Sequence, residues 1–168
     1  MGINKNFPKS PFQILNPDIR WFPGDENLGE KGRDKLLAPL VNKIRKEVFE
    51  WRNKNYSNIS ETSKSLLEYW FKTPHANNFR YYFAQRESVE TIIYLYESAK
   101  IENPTDLIKY DSSGVILPSM FEEQWLRLVI KQATGTGKTK VLSLLIAWCY
   151  FNNLYEKNSN LSKNFLLI

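Results

Sequence analysis

One cysteine, one histidine and no long apolar run mark what this 168-residue chain does without. A single thiol, Cys149, cannot form an internal disulfide framework, and it leaves no multi-cysteine metal site. Cys149 falls in an apolar helical pattern, where a small buried core residue is the expectation. His75 follows Thr73-Pro74 without Cys or His neighbours at ligand spacing, so a solvent-facing loop residue is expected rather than a metal ligand or catalytic base. No apolar stretch approaches the roughly 20 residues that span a bilayer. The first residues carry no basic patch followed by an apolar core, so neither a signal peptide nor a membrane partner is expected, and the chain reads as cytoplasmic. Internal repeats and low-complexity tracts are missing as well.

Hydrophobic residues make up 42% of the chain and include five tryptophans, enough for one domain with a core. The net charge of +5 is compatible with a polyanionic partner but does not by itself point to one.

Residues 1–33, rich in Pro, Asn and Gly with aromatics at Phe7, Phe12, Trp21 and Phe22, read as an extended arm. Residues 34–124 read as a helical extension. Apolar residues at Leu40, Val41, Ile44, Val48 and Trp51 repeat at the spacing of one helix face. Ser60 is the expected N-cap of a second helix that Thr73-Pro74 stops. A third is expected over about 79–99, and a loop at Asp111 to Gly114.

From 125 the pattern changes. Apolar alternation over 125–131 predicts a strand, 132–138 a glycine turn, and 138–152 a helix apolar on nearly every side. A polar connection over 153–163 then leads to a second strand pattern over 164–168, parallel to the first. Two strands cannot complete a nucleotide-binding sheet, so the chain reads as a fragment of a longer one.

The turn is Gln132-Ala133-Thr134-Gly135-Thr136-Gly137-Lys138-Thr139. Glycines allow close backbone approach to phosphates, and N–H groups at a helix start point at negative charge. Lys138 is placed to reach β- and γ-phosphates, and the Thr139 hydroxyl to ligate Mg²⁺. The general phosphate-loop pattern has glycine where Gln132 stands, and an ordinary glycine-rich turn is the alternative reading.

Ala133 to Thr139 resembles motif I of superfamily 2 helicases, and the wider text from Arg127 to Trp148 resembles the DEAD/DEAH-type subunits related to the Res subunit of type III restriction endonucleases. Ile19 to Pro23, Leu36 to Val41, Thr62 to Leu67 and Phe79 to Tyr94 resemble the N-terminal region of the same family. The resemblance implies an α/β fold, with 125–168 as the truncated start of a RecA-like phosphate-loop domain. It implies ATP and Mg²⁺ as ligands, held by Ala133, Thr134, Gly135, Thr136, Gly137, Lys138 and Thr139. It also implies double-stranded DNA as a partner of the full-length enzyme, and a restriction–modification partner subunit.

Gln85 resembles the upstream glutamine with which such motors read the adenine edge, a carboxamide being able to donate and accept at once. Its separation from Lys138 is long for that role and requires about 101–124 to loop out. A polar residue on the exposed side of a core helix is the alternative. Hydrolysis needs acidic residues to hold Mg²⁺ and activate water. The run from Ile92 to Glu97 ends in an acid but fits a helix face ahead of the loop, so it does not qualify. Nucleotide binding without turnover is expected. The alternatives are a non-catalytic nucleotide- or DNA-binding remnant and another phosphate-loop enzyme such as a small kinase.

Overall fold

The computed structural model describes residues 9–17, 39–111, 113–122 and 125–165. The elements are α-helices α1 (Pro39–Asn53), α2 (Glu61–Phe71), α3 (Phe83–Ile93) and α4 (Lys138–Tyr155). A π-helical turn, Tyr94–Ser98, extends α3, and short 3-10 helices cover Ala76–Asn78, Pro104–Tyr110 and Pro118–Met120.

Each helix begins where local chemistry permits. Ser60 is extended, and its hydroxyl accepts the Ser63 N–H at 3.0 Å, fixing the start of α2. Tyr82 is extended at the start of α3, where its N–H donates to the Gln85 carboxamide at 3.0 Å. That start lies four residues later than the apolar pattern predicts.

The core has two parts. Trp51 of α1, Tyr56 just after it, Leu67 and Trp70 of α2, Val89 and Ile93 of α3, and Val141, Leu144 and Trp148 of α4 form the larger. Each fully buried aliphatic side chain here contributes about 1.5–3 kcal/mol relative to exposure. Ile44, Val48, Leu95, Ile101 and Tyr110 form the smaller. Ile101, Leu107 and Tyr110 are therefore packed into the fold, so 101–110 does not loop out as the sequence reading of Gln85 requires. Helix α4 buries Val141, Leu144, Trp148 and Asn152 along one face and exposes Leu142, Tyr150 and Leu154 on others.

The expected α/β architecture, a RecA-like parallel sheet, is not what forms. No strand is present among the described residues; they are helices and connections. Residues 126–133 take no regular secondary structure. Their alternation is satisfied another way. Leu126 and Leu128 pack on the smaller core and Ile130 on the larger, while Val129 between them is 90% exposed. A helical surface can take one face of an extended segment without a neighbouring strand, so period-two patterning alone does not establish a sheet. Of the expected second strand, 164–165 are not in strand conformation and 166–168 lie outside the described residues, as does most of the arm over 1–33.

Buried charge is concentrated on α3. Glu90, fully buried, accepts from Arg52 Nε at 2.8 Å, Arg86 Nε at 2.8 Å and the Tyr56 hydroxyl at 2.6 Å. Glu97, one turn beyond α3, accepts from the Ser60 N–H at 2.7 Å, the Ser63 hydroxyl and Trp148 Nε1 at 2.8 Å. It ties α2 to α4 far along that helix from the glycine turn.

Candidate functional site

The glycine turn leads straight into α4. Gly135 and Gly137 both have φ +81°, in the left-handed region where an L side chain is strained. A Cβ on Gly135 would meet open space; one on Gly137 would come within 2.2 Å of Gln85 Nε2. The Thr136 hydroxyl donates to the Ala133 carbonyl at 2.7 Å and closes the turn.

Gly137 is the N-cap of α4, without a side-chain cap, and no acid lies in the helix's first turn. The N–H groups of Lys140 and Val141 donate to the Gly137 carbonyl at 3.0 and 3.3 Å. Those of Gly137, Lys138 and Thr139 precede any helix carbonyl that could take them. With the helix dipole behind them, they form an anion-attracting end. Lys138 and Lys140 add exposed charge.

Lys138 Nζ lies 3.4 Å from the Gln132 carbonyl and 3.3 Å from the Ala133 carbonyl. Charge-assisted hydrogen bonds are usually near 2.7–2.9 Å, so these contacts are weak and hold the ammonium loosely. Ala133, Thr134, Gly135, Lys138 and Thr139 are exposed, and Thr136 and Gly137 are half-buried. Ser143 Oγ donates to the Thr139 carbonyl at 2.9 Å, one turn along.

Gln85 lies against this loop despite the sequence separation. It is 7% exposed, so it is not on an outer helix face. Its Oε1 accepts the Tyr82 N–H, and its Nε2 donates to the Thr136 carbonyl at 3.0 Å. One amide hydrogen and one carbonyl lone pair remain beyond those bonds.

Gln132, where the general pattern has glycine, anchors the other end. Its Nε2 donates to the Ala84 carbonyl at 3.1 Å and to Ser88 Oγ at 2.8 Å. Its Oε1 is buried and has no partner among the described residues. Ala84, Gln85 and Ser88 all belong to the start of α3, so one helical turn holds the loop at both ends. The roles of Ser88 and Gln132 escape sequence reasoning. Only the three-residue step from Tyr82 to Gln85, a capping-box spacing, signals that Gln85 is structurally committed.

The remaining singled-out residues are structural. His75 is half-buried, not solvent-facing: its Nε2 lies 3.0 Å from the Trp70 carbonyl, and its ring meets Tyr69, Phe79 and Tyr81 edge-on. Cys149 is half-buried rather than fully buried, and burial pushes its thiol up, which favours the protonated form. No group of three His, Cys, Asp or Glu residues that could hold a metal ion occurs among the described residues. No helix among them is long and apolar enough to cross a membrane. No protein-family model, curated protein or solved structure matches the chain.

Proposed function

We propose that residues 133–139 bind the phosphates of a nucleoside triphosphate, ATP by the resemblance of the motif. The observation that carries this reading is the paired left-handed Gly135 and Gly137 at the uncapped start of α4, with Lys138 resting on weak contacts beside them. The open space over Gly135 admits a close phosphate, and the three leading N–H groups supply its hydrogen bonds. Thr139 would be the protein's ligand to Mg²⁺, which would supply positive charge against the phosphates. Gln85 sets the loop from behind, and its remaining donor and acceptor are what it has for an adenine edge.

Among the described residues, the groups that hold the loop are amides, hydroxyls and carbonyls, which bind and orient but do not activate water. We therefore read the 168 residues as a nucleotide-binding unit without turnover. On the motif resemblance alone, we assign that unit to the N-terminal part of a cytoplasmic DNA translocase subunit of the type III restriction kind, acting with a partner subunit on double-stranded DNA.

The test is calorimetric titration of Mg·ATP into the purified chain and its Lys138→Ala variant. Measurable affinity that Lys138→Ala abolishes is the expected result. Equal affinity in both proteins, or none in either, overturns the assignment.

A further inference from the structure

We propose that the cleft between the 9–17 segment and the α2–α3 connection binds single-stranded nucleic acid by stacking bases on its rings. The cleft encloses about 340 Å³, at the small end of the usual range for ligand pockets of roughly 300–1,000 Å³. Phe12, Phe71, His75, Phe79 and Tyr81 supply its rings, and Lys72, Arg80 and Arg86 its charge. Among the described residues no Asp or Glu lines it. This inference is independent of the phosphate-loop reading.

The arrangement of charge on ring decides the ligand class. The Arg80 guanidinium lies 4.8 Å over the Phe12 ring, Arg86 lies 5.3 Å over Phe71, and the Lys140 ammonium lies 5.7 Å over Phe79. Arg86 is committed to Glu90, but among the described residues Arg80 pairs with a ring and not a carboxylate. A cationic ligand, which bare aromatic walls would favour, is repelled here. A purely apolar ligand would have to desolvate these cations at a cost. A lone phosphate has no use for the rings. A flat ring next to negative charge satisfies both sets of groups, and a nucleic-acid strand supplies flat rings and phosphates in alternation.

Two observations argue against these rings being core alone. Phe79 is 44% exposed, and Arg80 beside it is exposed too. The rings also meet edge-on, Phe79 to Tyr81 at 84° and His75 to Tyr81 at 82°, and not in parallel stacks that would cover a face of both partners. A duplex keeps its bases stacked on one another, which is why the strand must be single.

The test is fluorescence anisotropy of a labelled oligothymidylate with the full chain, at several salt concentrations. A duplex of the same length and unlabelled thymidine monophosphate serve as competitors. Saturable binding that salt weakens is expected, with both competitors ineffective. Phe79→Ala should weaken it roughly 5- to 150-fold, the loss of one stacked base. Arg80→Gln should reduce the slope of log affinity against log salt by about 0.7, the loss of one phosphate contact. Lys138→Ala should bind like the wild type, which separates this cleft from the phosphate loop. Absent binding, unchanged binding by both cleft variants with native circular dichroism, or full competition by the duplex or the mononucleotide would each overturn the proposal.

Discussion

Replacing Gly137 by alanine tests how the loop is held, because its cost should depend on a residue far away in sequence. An alanine at φ +81°, ψ +43° pays about 1–2 kcal/mol for the left-handed conformation. Its Cβ would also stand 2.2 Å from Gln85 Nε2 and 3.4 Å from Cδ. The end of a free glutamine would simply swing away. This one is buried and fixed by the Tyr82 N–H at 3.0 Å, so moving it breaks its bond to the Thr136 carbonyl. A buried polar group left unsatisfied costs about 1–3 kcal/mol, giving a total near 2–5 kcal/mol. Shortening Gln85 to alanine removes the obstacle, so Gly137→Ala in that background should cost only about 1–2 kcal/mol. The coupling between the two substitutions is then about 1–3 kcal/mol. Gly135→Ala is the internal control: it has the same φ but open space around the added Cβ, so only strain remains. Urea unfolding followed by far-ultraviolet circular dichroism and tryptophan fluorescence measures all four. Equal cost for Gly137→Ala with and without Gln85 would refute the claim that this carboxamide locks the loop.

Two further outcomes follow from the packing. Ser60→Ala removes the N-cap of α2 and the hydroxyl's bond to Asn152 Oδ1 at 2.7 Å. The cap alone contributes about 1 kcal/mol, which lowers Tm by roughly 2–4 °C in a chain of this size. An unchanged thermal melt would mean that α2 starts elsewhere. On the alkaline side, burial first and the Glu90 charge second push the Tyr56 phenol well above its ordinary value. The folded chain therefore keeps a proton that the unfolded chain releases near pH 10, a usual tyrosine value. The stabilisation is complete below that pH and declines as pH rises through and beyond it. Tyr56→Phe should flatten the fall of Tm above about pH 10, and an unaltered alkaline limb would refute the placement of Tyr56 against Glu90.

What the sequence discloses depends on the range of the interaction. The apolar period over Leu40 to Trp51, the Ser60 cap and the apolar run after Lys138 are local signals, and α1, α2 and α4 form where those signals lie. The start of α3 is less legible. Asn77 and Asn78 take positive φ, and Tyr82 stays extended, so Phe79 and Tyr81 serve an aromatic cluster and not a helix face. His75 looks solvent-facing in a turn-like stretch after Thr73-Pro74, yet Tyr69 and Tyr81 both meet its ring edge-on. The segment 126–130 shows the limit most clearly. Its alternation is genuine, with Leu126, Leu128 and Ile130 turned inward, but alternation records only which side is buried and not what buries it.

The same limit explains Gln132. Measured against the phosphate-loop pattern, a glutamine in place of glycine looks like a defect. In the fold it supplies what glycine could not, a side chain that reaches Ala84 and Ser88 on α3. A loop flanked by paired strands takes its position from backbone ladders, which no single side-chain change removes. Here two carboxamides on opposite sides of the turn do that work, each through one or two hydrogen bonds contributing about 0.5–1.5 kcal/mol net. Loop order and phosphate chemistry are therefore separable in this chain. Shortening Gln85 or Gln132 loosens the turn while leaving the Lys138 charge and the α4 N-terminus in place, and removing Lys138 does the reverse. A loss of nucleotide affinity caused by the first kind of change as well as by removing Lys138 would show that preorganisation contributes, and one caused by removing Lys138 alone would show that charge suffices.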